Sequence, residues 1–240
     1  SRHILLPEME YEGQEKLLAS HVLIIGAGGL GSATSIYLAS SGIGKLTICD
    51  FDRVELSNLQ RQILHSDAAI GMNKAKSAKY FLGKLNPNIK VEAIEDKLDM
   101  DSMKKIARST DVIIDCSDNF YTRYALNQIA YDLKKPLVSG AAIKFEGQLS
   151  VFDLTSEVSP CYECLFPDAK DEQELRCADH GVFSPLVGMI GTAQAAETIK
   201  ILLSIGSPLV GKLATLDIKT MRWQTFIVKK DPHCEVCGTH

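Results

Sequence analysis

The chain has 240 residues, of which 45% are hydrophobic and 23% charged, and its formal net charge at pH 7 is −4. This length suits one large α/β domain or two small ones. The acidic balance argues against a nucleic-acid-binding protein, because such proteins are usually basic. The long apolar stretch at 186–203 contains Glu197 and Lys200, so we expect no membrane-spanning segment. No signal-peptide pattern follows Ser1.

The first half of the chain alternates between strand and helix patterns. After a short helix at 9–18, we expect strands at 22–25, 46–49, 91–94, 112–114 and 137–138, and helices at 30–40, 73–85, 101–108 and 119–133. Asp101 is the predicted cap of the helix at 101–108. Strands and helices that alternate in this way predict an α/β fold. Its Rossmann-like, mostly parallel sheet would carry helices on both faces.

The pattern changes after Gly147. Residues 148–154 alternate like an antiparallel strand, and 161–182 are polar and irregular. A long apolar helix is expected at 186–205, followed by a hairpin of strands at 213–218 and 223–228. Because no linker interrupts the sequence, we expect a single domain over 1–240. Its nucleotide-binding half is 1–146, and its partner-facing half is 147–240.

A glycine-rich loop follows the first predicted strand. Gly26, Gly28 and Gly31 match the G-x-G-x-x-G fingerprint at a junction of strand and helix, where free N–H groups at the helix N-terminus bind phosphate. Asp50 ends the next strand, where a carboxylate would bind ribose hydroxyls. These features alone favour an NAD-dependent oxidoreductase, and the alternative is a glycine turn that serves packing only.

Cationic residues after that strand favour a different chemistry. Arg61 lies in a polar cluster at 57–62, and Lys74 opens the next helix. Hydride transfer does not need several cations near the phosphates, whereas attack on ATP does, because charge develops on the leaving pyrophosphate. Either residue alone could lie on a solvated surface, as Lys and Arg usually do. The cluster as a unit favours a nucleotide triphosphate.

Four of the seven cysteines form two tight pairs, Cys161-x-x-Cys164 and Cys234-x-x-Cys237. The spacing within each pair lets two thiolates bind the same tetrahedral ion. The two pairs together therefore predict one closed, structural zinc site. The alternative is two unrelated pairs of free thiols. Thiolate metal sites are typical of a reducing compartment, and we therefore infer a cytoplasmic protein.

The combined motifs resemble the ubiquitin-activating-enzyme superfamily, and within it the bacterial adenylyltransferases of the HesA/MoeB/ThiF family. The resemblance extends over 2–238 and is carried by the sequences Gly-Ala-Gly-Gly-Leu-Gly at 26–31, Asp-Phe-Asp at 50–52, Ser-Asn-Leu-Gln-Arg-Gln at 57–62, Lys74, and Asp-Cys-Ser-Asp-Asn at 115–119. It implies ATP-dependent adenylation of the C-terminal glycine carboxylate of a small ubiquitin-like sulfur carrier protein ending in Gly-Gly. The pathway, molybdopterin or thiamine biosynthesis or both, stays open.

The resemblance also implies roles for individual residues. Asp118 would hold Mg²⁺, and Arg2 would enter the ATP site of a neighbouring subunit, which implies a homodimer. The zinc ion on the four cysteines is part of the same family pattern. The nucleotide-binding residues implied in this way are Gly26, Gly28, Gly29, Gly31, Asp50, Ser57, Asn58, Leu59, Gln60, Arg61, Lys74, Asp118 and Asn119.

The remaining cysteines differ in what they predict. Cys177 lies in a polar stretch beside Arg176 and His180, which could lower its pKa and make it nucleophilic. Members of the family have a cysteine here that conjugates the carrier in some cases and is dispensable in others, so a loop cysteine without a role is the alternative. Cys49 and Cys116 fall in or at the end of strands, and we expect both to be buried and inert.

Two rival functions stay open at this stage. One is an NAD-dependent oxidoreductase, and the other is a scaffold that binds nucleotide and a carrier without turnover. No sulfurtransferase domain follows the adenylation pattern in this sequence. If the chain is an adenylyltransferase, we therefore expect the sulfur to come from a separate donor protein.

Overall fold

The structure, a computed structural model, describes residues 2–167 and 181–239. Its strands are β1 (His21–Ile25), β2 (Lys45–Cys49), β3 (Lys90–Ile94), β4 (Val112–Asp115), β5 (Pro136–Ile143), β6 (Glu146–Asp153), β7 (Lys212–Asp217) and β8 (Arg222–Ile227). They form one eight-stranded sheet in the order β3-β2-β1-β4-β5-β6-β7-β8. The expected mixed sheet is therefore confirmed.

The helices connect and cover these strands. They are α1 (Glu10–Ala19), α2 (Gly29–Ser41), α3 (Lys74–Leu85), α4 (Met100–Ala107), α5 (Phe120–Leu133), α6 (Tyr162–Leu165) and α7 (Ser184–Leu203). Short 3-10 turns occur at Arg2–Leu5, Leu56–Asn58 and Asp67–Ala69. Most of the predicted helices and strands are present, with ends that differ by one or two residues.

The first five strands of the sheet run parallel, and the last three pairings are antiparallel. In the parallel part, Ile25 of β1 pairs with both Cys49 of β2 and Asp115 of β4, so the carboxyl ends of these strands meet at one edge. The direction changes at the tight hairpin in which Ile143 pairs with Glu146. A connection this short permits only antiparallel pairing, because a parallel crossover needs a dozen or more residues.

Two apolar cores lie on opposite faces of the sheet. Successive strand side chains point to opposite faces, so Ile24 joins the core beneath α2, α3 and α7, while Leu23 joins the core beneath α4 and α5. Leu23 and Ile24 are both fully buried. The strands at the centre are covered on both sides, which explains their continuous apolar runs and confirms helices on both faces.

Helix α7 is long and apolar enough, by length and composition alone, to cross a membrane. It lies instead against α2 and the sheet. Thr34 Oγ1 donates to the Gly191 carbonyl at 2.9 Å, and Gln194 Nε2 donates to the Asp115 carbonyl at 2.7 Å. A Cβ added to Gly191 would lie 2.3 Å from the Leu30 carbonyl oxygen, so this close packing of α7 on α2 requires glycine. Helix α7 therefore belongs to the protein core, where it packs against the sheet.

Three local expectations were wrong. The cap of α4 is Asp99, whose Oδ1 accepts from the Ser102 N–H at 2.8 Å, and Asp101 lies inside the first helical turn. Strand β5 extends to Ile143 instead of ending at residue 138, because pairing with β6 overrides the low strand propensity of its small residues. Part of the segment expected to be irregular forms the single turn of α6.

Candidate active site

A cleft of about 910 Å³ opens at the carboxyl ends of the parallel strands. It lies where β1 is flanked by β2 and β4, the point at which the strand order reverses. Open α/β sheets bind ligands at such a switch point, because the adjacent loops diverge there. The cleft is lined by eight of the predicted site residues, namely Gly26, Gly28, Gly29, Asp50, Arg61, Lys74, Asp118 and Asn119.

The glycines of the loop serve two purposes: some permit close packing, and one leaves the backbone accessible to a ligand. Gly26 has a φ of +100°, and a Cβ on Gly31 would lie 1.9 Å from the Gly26 carbonyl oxygen. At Gly28, an added Cβ would meet only Gln62 Nε2, at 3.6 Å. Gly26 and Gly31 therefore allow the tight turn and the packing of α2. Gly28 leaves the backbone open to a ligand at the N-terminus of that helix.

Asp50 holds the glycine loop from the neighbouring strand. Its Oδ2 accepts from the Ala27 N–H at 2.7 Å, and its Oδ1 accepts from the Asp52 N–H at 2.9 Å. Burial raises the pKa of this carboxyl above its ordinary value, and the two N–H bonds partly oppose that shift. Each carboxylate oxygen keeps one further lone pair, which suits a ribose hydroxyl.

Lys74 lies at the first position of α3, where the Asn73 side chain caps the helix by accepting from the Lys76 N–H at 3.1 Å. Only 7% of Lys74 is exposed, and its Nζ lies 3.0 Å from Asp52 Oδ2. The cap and the ion pair hold the ammonium at the wall of the cleft. Because the ammonium is already in position, it can stabilise phosphate charge without any rearrangement of the side chain.

Two members of the polar cluster at 57–62 line the cleft, namely Arg61 and Gln62. Arg61 Nη1 donates to the Ser57 carbonyl at 3.3 Å, so the 3-10 turn preceding it holds the guanidinium. The other members of the cluster, and the last glycine of the loop, are predicted site residues that do not line the cleft. They are Ser57, Asn58, Leu59, Gln60 and Gly31.

Asp118 reaches the cleft from the loop after β4. The buried Asp115 fixes this loop, because it accepts from the Ser117 N–H at 3.0 Å and from Ser139 Oγ at 2.8 Å. Asn119 caps α5 by accepting from the Thr122 N–H at 2.9 Å. The exposed Asp118 carboxylate therefore projects from a rigid support, and its oxygens suit a hard cation such as Mg²⁺.

Two further polar residues of the cleft, Gln62 and Arg123, were not among the predicted nucleotide-binding residues. Gln62 is 4% exposed, and its Oε1 has no hydrogen-bond partner among the described residues. Arg123 Nη2 donates to the Ser117 carbonyl at 3.1 Å, and its Nε lies 3.8 Å from Asp115 Oδ2. Gln62 ends the polar cluster and could have been found there. No motif marks Arg123, nor Leu98 and Met103, which line the cleft together with Phe51 of the Asp-Phe-Asp motif.

The four paired cysteines lie together on the α5 side of the sheet. Cys161 Sγ lies 3.6 Å from Cys234 Sγ, Cys164 Sγ lies 3.3 Å from Cys237 Sγ, and all four sulfurs lie within 4.8 Å of one another. Tetrahedral Zn–S bonds of about 2.3 Å place neighbouring sulfurs about 3.8 Å apart. The donor set and its spacing fit a zinc ion.

Donors around the cluster suit charged sulfur. Asn127 Nδ2 donates to Cys161 Sγ at 3.5 Å, and the Asp231 N–H donates to Cys164 Sγ at 3.4 Å. Burial raises the pKa of Cys161 to about 11, so a nearby cation is needed to hold this sulfur as a thiolate at neutral pH.

Cys49 and Cys116 are buried, as expected. Burial raises the pKa of Cys49 to about 12 and raises that of Cys116 as well, so both stay protonated and unreactive.

Arg2 is exposed in the first 3-10 turn and does not line the cleft of its own chain. Cys177 lies outside the described residues.

Known proteins share this architecture. The chain is 44% identical over 238 residues to the molybdopterin-synthase adenylyltransferase of Salmonella typhimurium, covering 99% of this chain and 95% of the relative. It is 42% identical to the sulfur carrier protein adenylyltransferase of Thermus thermophilus, covering 99% and 89%. Among solved structures, Escherichia coli MccB with ATP superposes with a TM-score of 0.83 at 26% identity, covering 94% of this chain and 68% of that one.

The family model for the ThiF family matches residues 1–236, nearly the whole chain. The match includes both the cleft and most of the four-cysteine cluster. This chain belongs to the ThiF family.

Proposed function

We propose that this protein is an ATP-dependent adenylyltransferase that activates the C-terminal glycine carboxylate of a ubiquitin-like sulfur carrier protein. The observation that carries the proposal is the single cleft in which the glycine loop, Asp50, Arg61, Lys74 and Asp118 meet. Relatives of matching length are named for adenylation of molybdopterin synthase and of a sulfur carrier protein.

The chemistry follows from the charges in the cleft. A carboxylate oxygen of the carrier attacks the α-phosphorus of ATP, an O–P bond forms, and the bond to pyrophosphate breaks. Lys74 and Arg61 offset the negative charge that develops on the phosphates, and the open backbone at Gly28 offers N–H groups. No general base is required, because the attacking group is already anionic. The protein contributes positioning and charge neutralisation.

Two metal ions fit the side chains present. Asp118 would hold Mg²⁺, which neutralises phosphate charge when it is bound. Zinc on the four cysteines would tie the segment after β6 to the C-terminal segment. That role is structural, because four thiolates leave no open coordination position.

The finer features of the proposal concern assembly and pathway. We propose a homodimer in which Arg2 of each subunit completes the partner's site, a cytoplasmic location, and a separate sulfur donor protein. The chain acts as one adenylation domain, with a nucleotide-binding half at 1–146 and a carrier-binding half at 147–240. The product would serve molybdopterin or thiamine biosynthesis, and Cys177 is a candidate for a covalent link to the carrier.

The oxidoreductase alternative is not favoured. Four cationic residues line the cleft, namely Arg61, Lys74, Lys97 and Arg123, and the ammonium of Lys74 is buried at its wall. Such a concentration of positive charge serves ATP chemistry better than hydride transfer. The test is ATP–pyrophosphate exchange with purified carriers from the host. Exchange that depends on the carrier, and that stops when the terminal glycine of the carrier is removed, supports the proposal. Nucleotide binding without exchange for any carrier would instead indicate a scaffold.

A further inference from the structure

His65 links the two elements that carry the phosphate-binding groups. It is 8% exposed and lies between the glycine loop and α3. Its Nε2 lies 2.9 Å from the Ala27 carbonyl oxygen, and its Nδ1 lies 2.9 Å from Ser77 Oγ, about one helical turn after Lys74. The proposed function, as described above, leaves this residue without a role.

These contacts determine the proton positions on the ring. A carbonyl oxygen only accepts, so Nε2 carries a proton and donates to Ala27. In the neutral ring, Nδ1 then accepts from the Ser77 hydroxyl. Burial lowers the pKa of His65, the hydrogen bond to Ala27 partly opposes this shift, and Lys74 adds a smaller lowering. The lowered pKa agrees with a neutral ring at pH 7.

The peptide groups on both sides of Ala27 are therefore held from outside the loop. Its N–H donates to Asp50 Oδ2 at 2.7 Å, and its carbonyl accepts from His65. The peptide bond between Ala27 and Gly28 is trans, so its C=O and N–H point in opposite directions. With the carbonyl turned toward His65, the Gly28 N–H turns away from it. That N–H has no hydrogen-bond acceptor among the described residues, and Gly28 lines the cleft.

We propose that His65 is a positioning residue that fixes the Ala27–Gly28 peptide so that the Gly28 N–H faces a phosphate of the bound nucleotide. This inference rests on the proposed function, since it assumes that ATP phosphates lie at the glycine loop. His65 touches no nucleotide itself and acts through the backbone. Without its donor, the Ala27 carbonyl is left buried and unpaired, and the peptide is free to rotate.

The test compares ligands that have phosphates with one that lacks them. Binding of non-hydrolysable ATP and of adenosine is measured by calorimetry for the parent, His65→Leu, His65→Gln and His65→Asn. For His65→Leu, we expect ATP affinity to fall on the order of tenfold and adenosine affinity to change less than about twofold. Gln places its amide nitrogen near the former Nε2 and should restore most of the ATP affinity. Asn reaches only the Nδ1 position and should not.

His21 provides the matched control. Its ring also bridges two elements, with Nδ1 2.8 Å from the Ser109 carbonyl oxygen and Nε2 2.8 Å from Thr47 Oγ1. It begins β1, at the end of the strand away from the cleft. His21→Leu should leave the ratio of ATP to adenosine affinity unchanged, even if it lowers stability.

The outcomes separate the two proposals. Equal weakening of ATP and adenosine in His65→Leu, or an unchanged ratio, would mean that His65 is only a structural residue. If His65→Leu does not fold, equal ATP affinity of the Gln and Asn variants overturns the inference instead. A parent protein that binds adenosine but not ATP would contradict the proposed function itself.

Discussion

The Lys74 ammonium lies 3.0 Å from Asp52 Oδ2, yet the two side chains differ sharply in exposure, at 9% for Lys74 and 54% for Asp52. Asp52 therefore holds the cation from the solvent side of the cleft wall, while the aliphatic part of Lys74 is buried. The pair keeps a buried cation compensated before nucleotide arrives. Phosphate oxygens can then join the same ammonium, which has three N–H donors.

Replacing the cleft cations should abolish most activity. We expect Lys74→Ala and Arg61→Ala each to slow carrier-dependent ATP–pyrophosphate exchange by a factor on the order of 10² to 10³, because each removes a cation aimed at developing phosphate charge. Lys76→Ala is the control, since Lys76 is exposed on the same helix. Rates within twofold of the parent for both cleft variants would remove these residues from the site.

The cysteine cluster should hold about one zinc ion per chain. Elemental analysis of freshly purified protein checks the content, and Cys164→Ser should reduce it while lowering the thermal midpoint, because metal binding adds to the folding free energy. Cys49→Ser is the control: it removes a buried thiol outside the cluster and should leave the zinc content unchanged. Parent protein without metal, purified in the absence of chelator, would end the zinc assignment.

The third glycine of the loop should not tolerate a methyl group. In Gly31→Ala the new Cβ would lie 1.9 Å from the Gly26 carbonyl oxygen, so the loop or helix α2 must shift. We expect a loss of about 2 kcal/mol or more in the free energy of unfolding, together with weaker ATP binding. Gly83→Ala is the control, because nothing lies within 4 Å of its added Cβ and alanine favours the helix. Urea denaturation measures both, and equal stability of the two variants would contradict the packing argument.

The free energy of unfolding should decrease as the pH is lowered through the range in which histidine titrates. Burial lowers the folded-state pKa of His65 below its ordinary 6.5, although the hydrogen bond to the Ala27 carbonyl and, to a smaller extent, Asp50 act in the opposite direction. Below pH 6.5 this histidine binds a proton in the unfolded chain but not in the folded chain. Stability therefore decreases as the pH is lowered from 6.5 to the lower pKa of the folded state. The variant His65→Gln should lack this pH-dependent contribution to the free energy of unfolding. Its urea midpoints at about pH 7.5 and about pH 5.5 should differ less than those of the parent. An equal difference would mean that His65 does not contribute.

Subunit mixing tests the role of Arg2. If Arg2 reaches the partner's site, Arg2→Ala mixed with Asp118→Ala should regain activity, because one site of each mixed dimer has both residues intact. At full exchange about half of the dimers are mixed, so roughly a quarter of the parental activity should return. A monomer in sedimentation, or a mixture no more active than its components, would place Arg2 outside the partner's site.

The sequence by itself determined the features that depend on neighbouring residues. Glycine spacing after an apolar run predicts the turn at Gly26–Gly31, alternation predicts the parallel sheet, and the Cys-x-x-Cys pairs predict metal ligands. Each is a local rule of backbone geometry or donor spacing. The same rules misassigned the α4 cap, since Asp99 and Asp101 are equivalent as residue types. They also shortened β5, whose small residues extend only because β6 pairs with them.

Tertiary structure decided which of these residues meet. Arg61 lies in the segment after β2, Lys74 at the start of α3, and Asp118 in the loop after β4. Only the parallel register of the strands places these segments at one edge of the sheet. His65 was not predicted as a site residue, and Gln62 was only the end of a quoted motif, because the significance of both is the burial of a polar group against the glycine loop. Burial and long-range contacts depend on packing between distant segments, and this is why spacing along the chain could not reveal them.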